Sequence, residues 1–175
     1  MKPITYITGD ATEPVGGGAR LIAHVVNDIG LWGAGFTAAL DAKWPGVGDD
    51  YRDWHLRQKR HWGQECFGLG EVSHVIADSI HAFPGDHPGI GIWVVNMLAQ
   101  QGVRSKANPR PLRYDALGSC LMKLGRVASE HPIYSVHMPR IGCGLAGGRW
   151  AIVEELITDA LCRQNVPVFV YDLGR

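Results

Sequence analysis

Pro139-Arg140-Ile141-Gly142-Cys143-Gly144-Leu145-Ala146-Gly147-Gly148 follows the β-rich run Ile133–Met138 and precedes a helical pattern over Arg149–Arg163. Glycines between a strand and a helix let the backbone approach an anion and turn its N–H groups toward it. The helix that follows adds unpaired N–H donors and a positive dipole end. A second stretch of the same kind, Asn27-Asp28-Ile29-Gly30-Leu31-Trp32-Gly33-Ala34-Gly35, joins the strand pattern Arg20–Val26 to the helical pattern Gly35–Lys43. Open α/β sheets bind ligands at the C-terminal ends of their strands. One such loop is often only a tight turn; two in a small chain predict a cleft that takes a diphosphate.

Working outward, strand patterns also fall at Ile4–Gly9, Gly70–Ala77, Ile90–Leu98 and Val166–Asp172, with helical patterns at Gly48–Arg60 and Leu112–Ser129. Leu117, Leu121, Leu124 and Ala128 recur at spacings of three and four, which predicts one buried stripe. The run Val166–Tyr171 is almost wholly apolar, as expected of a strand covered on both faces. No helical pattern separates the third and fourth strands. Their connector, Asp78–Gly89, carries the turn signals Pro84-Gly85 and Pro88-Gly89. The expected fold is therefore α/β, with a mixed sheet, one hairpin-like pair and helices on both faces.

With 175 residues, 46% of them hydrophobic, the chain is long enough for one well-packed domain, and a single unit over residues 1–175 is expected. Seventeen basic residues balance 17 acidic ones, so no global field recruits nucleic acid or a membrane surface. A local basic cluster survives at Arg104, Lys106, Arg110 and Arg113; it is read either as a solvated loop or as a phosphate contact. The N-terminus enters a strand pattern at once, without a signal-peptide core, and no apolar run would span a bilayer, so a cytoplasmic monomer is expected. Cys66, Cys120, Cys143 and Cys162 are scattered, which predicts free thiols and no zinc site. No spacing of His74, His81 and His87 suggests metal ligands either, so no metal is expected.

Gly142, Gly144 and Gly147 formally spell G-x-G-x-x-G, with Asp172 at the end of the next strand, as in dinucleotide-binding units. That motif normally opens a βαβ unit with further strands to follow. Here one strand pattern follows before Arg175, so a second nucleotide half is not expected.

Several side chains in or near the loops admit two readings. Asp10, just after the first strand, either accepts a hydrogen bond from an exocyclic amine or stabilises a turn. Asp28 is a base that positions water, or a turn residue before Ile29-Gly30. His24 is catalytic or a satisfied core histidine. Cys143 is a nucleophile with a lowered pKa or simply part of the binding loop. Trp32 walls a ribose pocket or fills core.

Four pieces together resemble the macrodomain family, whose members bind ADP-ribose and related metabolites. They are Ile4–Asp10, Leu21–His24 leading to Gly33-Ala34-Gly35, Met138–Leu145, and Val170–Leu173. The resemblance runs essentially end to end. The M-P-R-I-G-C-G-L piece is most like a branch of terminal ADP-ribose protein glycohydrolases and DNA ADP-ribosyl glycohydrolase antitoxins. The G-x-W-G-x-G piece is more like yeast-type ADP-ribose-1″-phosphate phosphatases.

The resemblance implies a three-layer α/β/α sandwich and a site for ADP-ribose as ligand or product, with no other cofactor. Asp10 and the Ala11 backbone would hold the adenine end, with Tyr171 or Asp172 nearby. Asn27, Gly33, Ala34 and Gly35 would line the distal ribose and diphosphate. Ile141, Gly142, Cys143, Gly144 and Leu145 would wrap the diphosphate. Where glycohydrolases of the branch carry a catalytic lysine and aspartate, this sequence reads Leu98-Ala99-Gln100-Gln101 and Ala146. The implied activity is hydrolysis at the distal ribose without a lysine nucleophile, with Asp28 and His24 as candidate catalytic groups. Expected substrates are proteins ADP-ribosylated through acidic side chains, or O-acetyl-ADP-ribose. A non-catalytic binding module, a 1″-phosphatase and de-ADP-ribosylation of nucleic acid are the alternatives.

Overall fold

A computed structural model describes residues 1–60, 67–79, 91–130 and 134–174. Six strands form one sheet: β1 (Thr5–Thr8), β2 (Ala19–Asn27), β3 (Val72–Ser79), β4 (Gly91–Gln100), β5 (Tyr134–Pro139) and β6 (Val168–Asp172). Their order is β1-β6-β5-β2-β4-β3. Every neighbouring pair is parallel except β3 and β4, so the sheet is mixed, with the antiparallel pair at one edge as expected. The turn signals between β3 and β4, like His81, His87 and Cys66, lie outside the described residues.

Alternation along the central strands builds the three layers. On β4, Val95, Met97 and Ala99 face one core, which α3 (Tyr114–Glu130) and α4 (Trp150–Ala160) cover. Ile92 and Val94 face the other, beneath α1 (Phe36–Lys43), with α2 (Val47–Arg60) closing the same side through Tyr51 and Trp54. The predicted stripe Leu117, Leu121, Leu124 and Ala128 on α3 is buried throughout. No helix among the described residues is long and apolar enough to cross a membrane.

Several element ends differ from expectation. The last helical pattern does not run to Arg163: α4 ends at Ala160, and a 3-10 turn follows over Cys162–Gln164. Asn165 then takes a left-handed conformation (φ 61°), which an amide side chain tolerates and which ends the 3-10 turn. β6 accordingly begins at Val168 rather than Val166. β3 starts at Val72, because Gly68 to Glu71 form a turn closed by Glu71 N–H donating to the Gly68 carbonyl at 3.0 Å.

Because β1, β2, β4, β5 and β6 are mutually parallel, their C-terminal ends meet at one rim of the sheet. Gly9 N–H donates to the Asp172 carbonyl, and Asp28 N–H to the Gln100 carbonyl, each at 2.9 Å. Both glycine-rich loops leave the sheet at this rim.

Candidate functional site

The first loop is held in place by its own polar side chains. Asn27, 8% exposed, accepts through Oδ1 from the N–H groups of Ile29 (3.1 Å) and Leu31 (3.0 Å), and its Nδ2 donates to the Leu31 carbonyl (2.5 Å). The buried Tyr51 hydroxyl on α2 donates to the Asn27 carbonyl (2.6 Å) and accepts from Gly30 N–H (3.1 Å). Burial pushes the Tyr51 phenol upward, so it stays a neutral donor. Thr37 Oγ1 then accepts from the N–H groups of Gly33 and Ala34, both at 3.0 Å.

These contacts give three of the residues expected at the distal ribose a role within the loop itself. Asn27 orders the loop instead of reaching outward toward a ribose. Gly33 and Ala34 have their N–H groups occupied by Thr37, although a Cβ at Gly33 would meet nothing within 4 Å, so the residue faces open space. Among the described residues, the N–H groups of Gly35 and Phe36 carry no partner, and they lie at the positive end of α1.

The second loop is the more open of the two. Cys143, Gly147 and Gly148 donate to the carbonyls of Arg140, Gly144 and Gly142. Ile141 is buried and donates to the Pro139 carbonyl, so it anchors the loop base. Among the described residues, the N–H groups of Gly142, Gly144, Leu145 and Ala146 make no hydrogen bond. Successive backbone N–H groups in a tight turn form a concavity that suits an anion. Gly142 is required there on two counts: its φ is 70°, and a Cβ would stand 2.8 Å from the Leu112 side chain. A Cβ on Gly144 would meet nothing within 4 Å. The two loops touch, since a Cβ on Gly35 would lie 3.4 Å from Leu145 Cδ1. The unpaired donors of α1 and of the second loop therefore border one cleft.

The candidate catalytic residues do not stand free in that cleft. His24 is 2% exposed, with Nε2 2.7 Å from Asn96 Oδ1 and its ring edge-on to Trp32 and Phe36. Burial lowers its pKa to about 4. It is a neutral core histidine, and the catalytic reading is corrected. Trp32 packs on His24 and Tyr51, so it fills core as well. Asp28 is half-buried, and its Oδ1 accepts from Gly102 N–H at 2.6 Å, which ties the loop after β4 to the first glycine-rich loop. Burial raises the pKa of Cys143, with Arg140 acting weakly against it, so the thiol is protonated and no ready nucleophile. Gln100 Nε2 donates to the Gly102 carbonyl, and Ala146 is buried with its carbonyl on Leu112 N–H.

At the β1–β6 end, Asp10 is exposed, and Oδ1 accepts from Thr12 N–H at 2.8 Å, a local turn that leaves Oδ2 without a partner among the described residues. Ala11 is buried beside it. Asp172 instead accepts two hydrogen bonds from Arg140, at 2.6 and 2.8 Å, which hold its carboxyl below the usual range. The Arg140 guanidinium also lies over Trp150. The Tyr171 hydroxyl, 2.9 Å from His137 Nδ1, accepts from Val15 N–H at 3.0 Å and fixes the loop after β1. Neither Tyr171 nor Asp172 presents a free polar group toward the cleft. Tyr51, Thr37 and Leu112 were not foreseen. Thr37 had a signal, a hydroxyl in the first turn of a helix behind a glycine loop; Tyr51 and Leu112 act across large sequence separations and had none.

A cavity of about 410 Å³ opens at the opposite end of the sheet, among Val15, Gly18, Tyr134, Pro167 and Phe169. It is apolar and remote from the unpaired amides, and the rim cleft is the better candidate on chemical grounds. Among the described residues, no group of three or more His, Cys, Asp or Glu side chains is arranged to hold a metal ion.

No family model matches the sequence. A macrodomain protein from Streptomyces coelicolor of known structure is 43% identical, covering 98% of this chain and 99% of that one, with a TM-score of 0.75. This chain belongs to the macrodomain family. DarTG of Thermosipho africanus, solved in complex with ADP-ribose, is 19% identical over 86% of this chain and 37% of that one, with a TM-score of 0.65. Mouse chromodomain-helicase-DNA-binding protein 1-like is 28% identical over 98% of this chain. The chain spans less than a fifth of the length of the curated relatives it matches, 18% and 15%.

Proposed function

We propose that this protein binds ADP-ribose across the rim cleft and hydrolyses ester bonds at its distal ribose. The observation that carries the reading is the run of unpaired N–H groups at Gly142, Gly144, Leu145 and Ala146, bordered by those of Gly35 and Phe36. Hydrogen bonds from such donors to a charged acceptor are stronger than neutral ones, and a diphosphate supplies the acceptors. ADP-ribose in the fold neighbour DarTG points to the same ligand. Asp10 Oδ2 is the acceptor for the adenine amine, and Gly33 and Ala34 face the distal ribose.

The substrate is an ADP-ribosyl ester of an acidic side chain, or O-acetyl-ADP-ribose. For the acidic side-chain ester, water bonds to C1″ of the distal ribose as the C1″–O bond to the acyl group breaks; the carboxylate departs as a stable anion and the water proton passes to solvent. For O-acetyl-ADP-ribose, water adds to the acetyl carbon and the ribose oxygen leaves, taking up a proton. A carboxylate leaving group needs little help from an acid, so an ester is the linkage a site without lysine or a free aspartate can handle. A diphosphate oxygen orients the water. The binding-module reading is second, favoured by the occupied Asp28, the buried His24, and Gln100 and Ala146 at the positions of the related catalytic pair.

Calorimetry with ADP-ribose and with NAD tests the binding half; tighter ADP-ribose binding is expected, and equal or tighter NAD binding overturns it. Turnover of ester-linked and N-linked ADP-ribosyl substrates tests the chemistry. Cleavage of the ester alone, unchanged in chelator, is expected, and borohydride should trap no lysine adduct. Binding without turnover on any ester makes the protein a binding module.

A further inference from the structure

The basic loop after β4 is left unexplained by the site itself. Residues 101–113 carry Arg104, Lys106, Arg110 and Arg113 and no acidic residue. The loop is tied to both walls of the cleft. Gly102 N–H donates to Asp28 Oδ1 of the first glycine-rich loop, and Leu112 N–H to the Ala146 carbonyl of the second, at 3.2 Å. At Gly147 a Cβ would stand 2.8 Å from the Pro109 carbonyl oxygen.

The loop is also internally braced. Ser105 and Asn108 exchange backbone hydrogen bonds at 3.1 and 3.2 Å, and Asn108 Nδ2 donates to the Gln101 carbonyl at 2.8 Å. Arg113 donates to Gln101 Oε1 and the Arg110 carbonyl. The second loop's Arg149 is attached to the same region through its backbone, whose N–H donates to the hydroxyl of Tyr114, over whose ring Arg110 lies.

None of these five cations has a carboxylate partner among the described residues. Lys43, Arg52, Lys123, Arg140 and Arg163 are paired; Lys2, Arg20, Arg57 and Arg126 also lack an ion pair among the described residues but are scattered along the chain. The acidic residue nearest loop 101–113 in sequence is Asp115, at the start of α3, and Asp28, which touches the loop, is already bonded to Gly102; Glu154 and Glu155 follow Arg149 on α4. On a chain of zero formal net charge, four cations without an acidic residue in a 13-residue loop tied to the cleft are a local positive field that survives the global cancellation.

We infer that loop 101–113, with Arg149, docks an acidic polypeptide segment flanking the ADP-ribosylated side chain. This rests on the proposed function, in which Gly33 and Ala34 face the distal ribose, on the same glycine-rich loop whose Asp28 holds Gly102. Modified carboxylates in acidic stretches bring like-charged neighbours to that rim. A nucleic-acid backbone calls for an extended basic track, whereas the cations here lie on one short loop of a chain with zero formal net charge.

The test measures binding, so it does not depend on turnover. The ligands are free ADP-ribose, a glutamate-rich peptide and a glycine-serine peptide each carrying ADP-ribose through a non-hydrolysable linkage, and an ADP-ribosylated oligonucleotide. The wild type should bind the acidic peptide about tenfold more tightly than the neutral one at low salt, with the preference fading at high salt. In the double variant Arg104→Glu, Lys106→Glu the acidic-over-neutral preference should vanish, the ratio being taken within the variant so that a common loss of ADP-ribose affinity cancels; both side chains are exposed. Persistence of the preference in the variant, no preference in the wild type, or tighter binding of the oligonucleotide than of the acidic peptide overturns the inference. Failure of the wild type to bind free ADP-ribose overturns the proposed function itself.

Discussion

Asn27 and Asp28 are neighbours in sequence, and both direct their side-chain oxygens onto backbone N–H groups. Asn27 closes its own loop, and Asp28 holds the loop after β4 at Gly102. A carboxylate that only accepts a hydrogen bond can be replaced by an amide, whereas a carboxylate that moves a proton cannot. Asp28→Asn should therefore keep near wild-type stability and ester turnover. Asp28→Ala should lower stability by about 1 kcal/mol, the usual net worth of such a hydrogen bond. Urea unfolding midpoints and initial rates check both. A rate lost in Asp28→Asn with stability intact would restore Asp28 as a base. Asp10 belongs to the other class, with one oxygen in a turn and the other without a partner among the described residues. Asp10→Ala should weaken ADP-ribose binding by about 1.5–3 kcal/mol in calorimetry, as expected for a charge-assisted hydrogen bond; unchanged affinity would remove it from the site.

At the scale of the element, the second loop shows that glycines of one motif do different jobs. Gly142 has a positive φ and abuts Leu112, while Gly144 borders open space. Gly142→Ala should destabilise the fold by about 1–3 kcal/mol, from backbone strain together with the steric clash. Gly144→Val should leave the melting temperature nearly unchanged but weaken ADP-ribose binding at least about tenfold, by placing a side chain where a phosphate approaches. Thermal melts and calorimetry on the two variants separate the roles; loss of folding in Gly144→Val would count against the open cleft. The elements around the loop were readable in advance because periodicity is strong in them. The α3 stripe and the period-2 faces of β4 are each set by residues a few positions apart. The end of α4 differs from expectation because the chain tightens into a 3-10 turn after Leu161, closed by the left-handed Asn165, a backbone change that hydrophobic spacing does not reveal.

For the whole molecule, two buried histidines set a pH dependence. Burial lowers the pKa of His24 and of His137 to about 4 from the ordinary value of 6.5, and nearby Arg20 adds to the shift at His137. In the folded chain both rings stay neutral down to about pH 4, while in the unfolded chain they take up protons near 6.5. Between those values the unfolded state binds more protons, so stability is lost as pH falls from about 6.5 to about 4. The full effect is about 3 kcal/mol per histidine, of which about 2 kcal/mol is already lost at pH 5. Urea midpoints should therefore fall from pH 7.5 to pH 5, and His137→Gln should flatten the fall. A midpoint independent of pH over that range would contradict the burial of both rings.

The sequence by itself determined the alternation of strands and helices, the mixed sheet with its antiparallel pair, and the two glycine-rich loops at strand ends. It did so because those features depend on local spacing and on glycine, which the chain carries on its face. Macrodomain membership was legible for the same reason, in short contiguous motifs. Only the tertiary structure decided which polar groups of those motifs remain available. Tyr51 reaches Asn27 and Gly30 from α2, Arg140 captures Asp172 from the neighbouring strand, and Gly102 occupies Asp28 from 74 positions away. A hydrogen bond is made by whichever partner the fold brings within about 3 Å, and sequence separation carries no record of that distance.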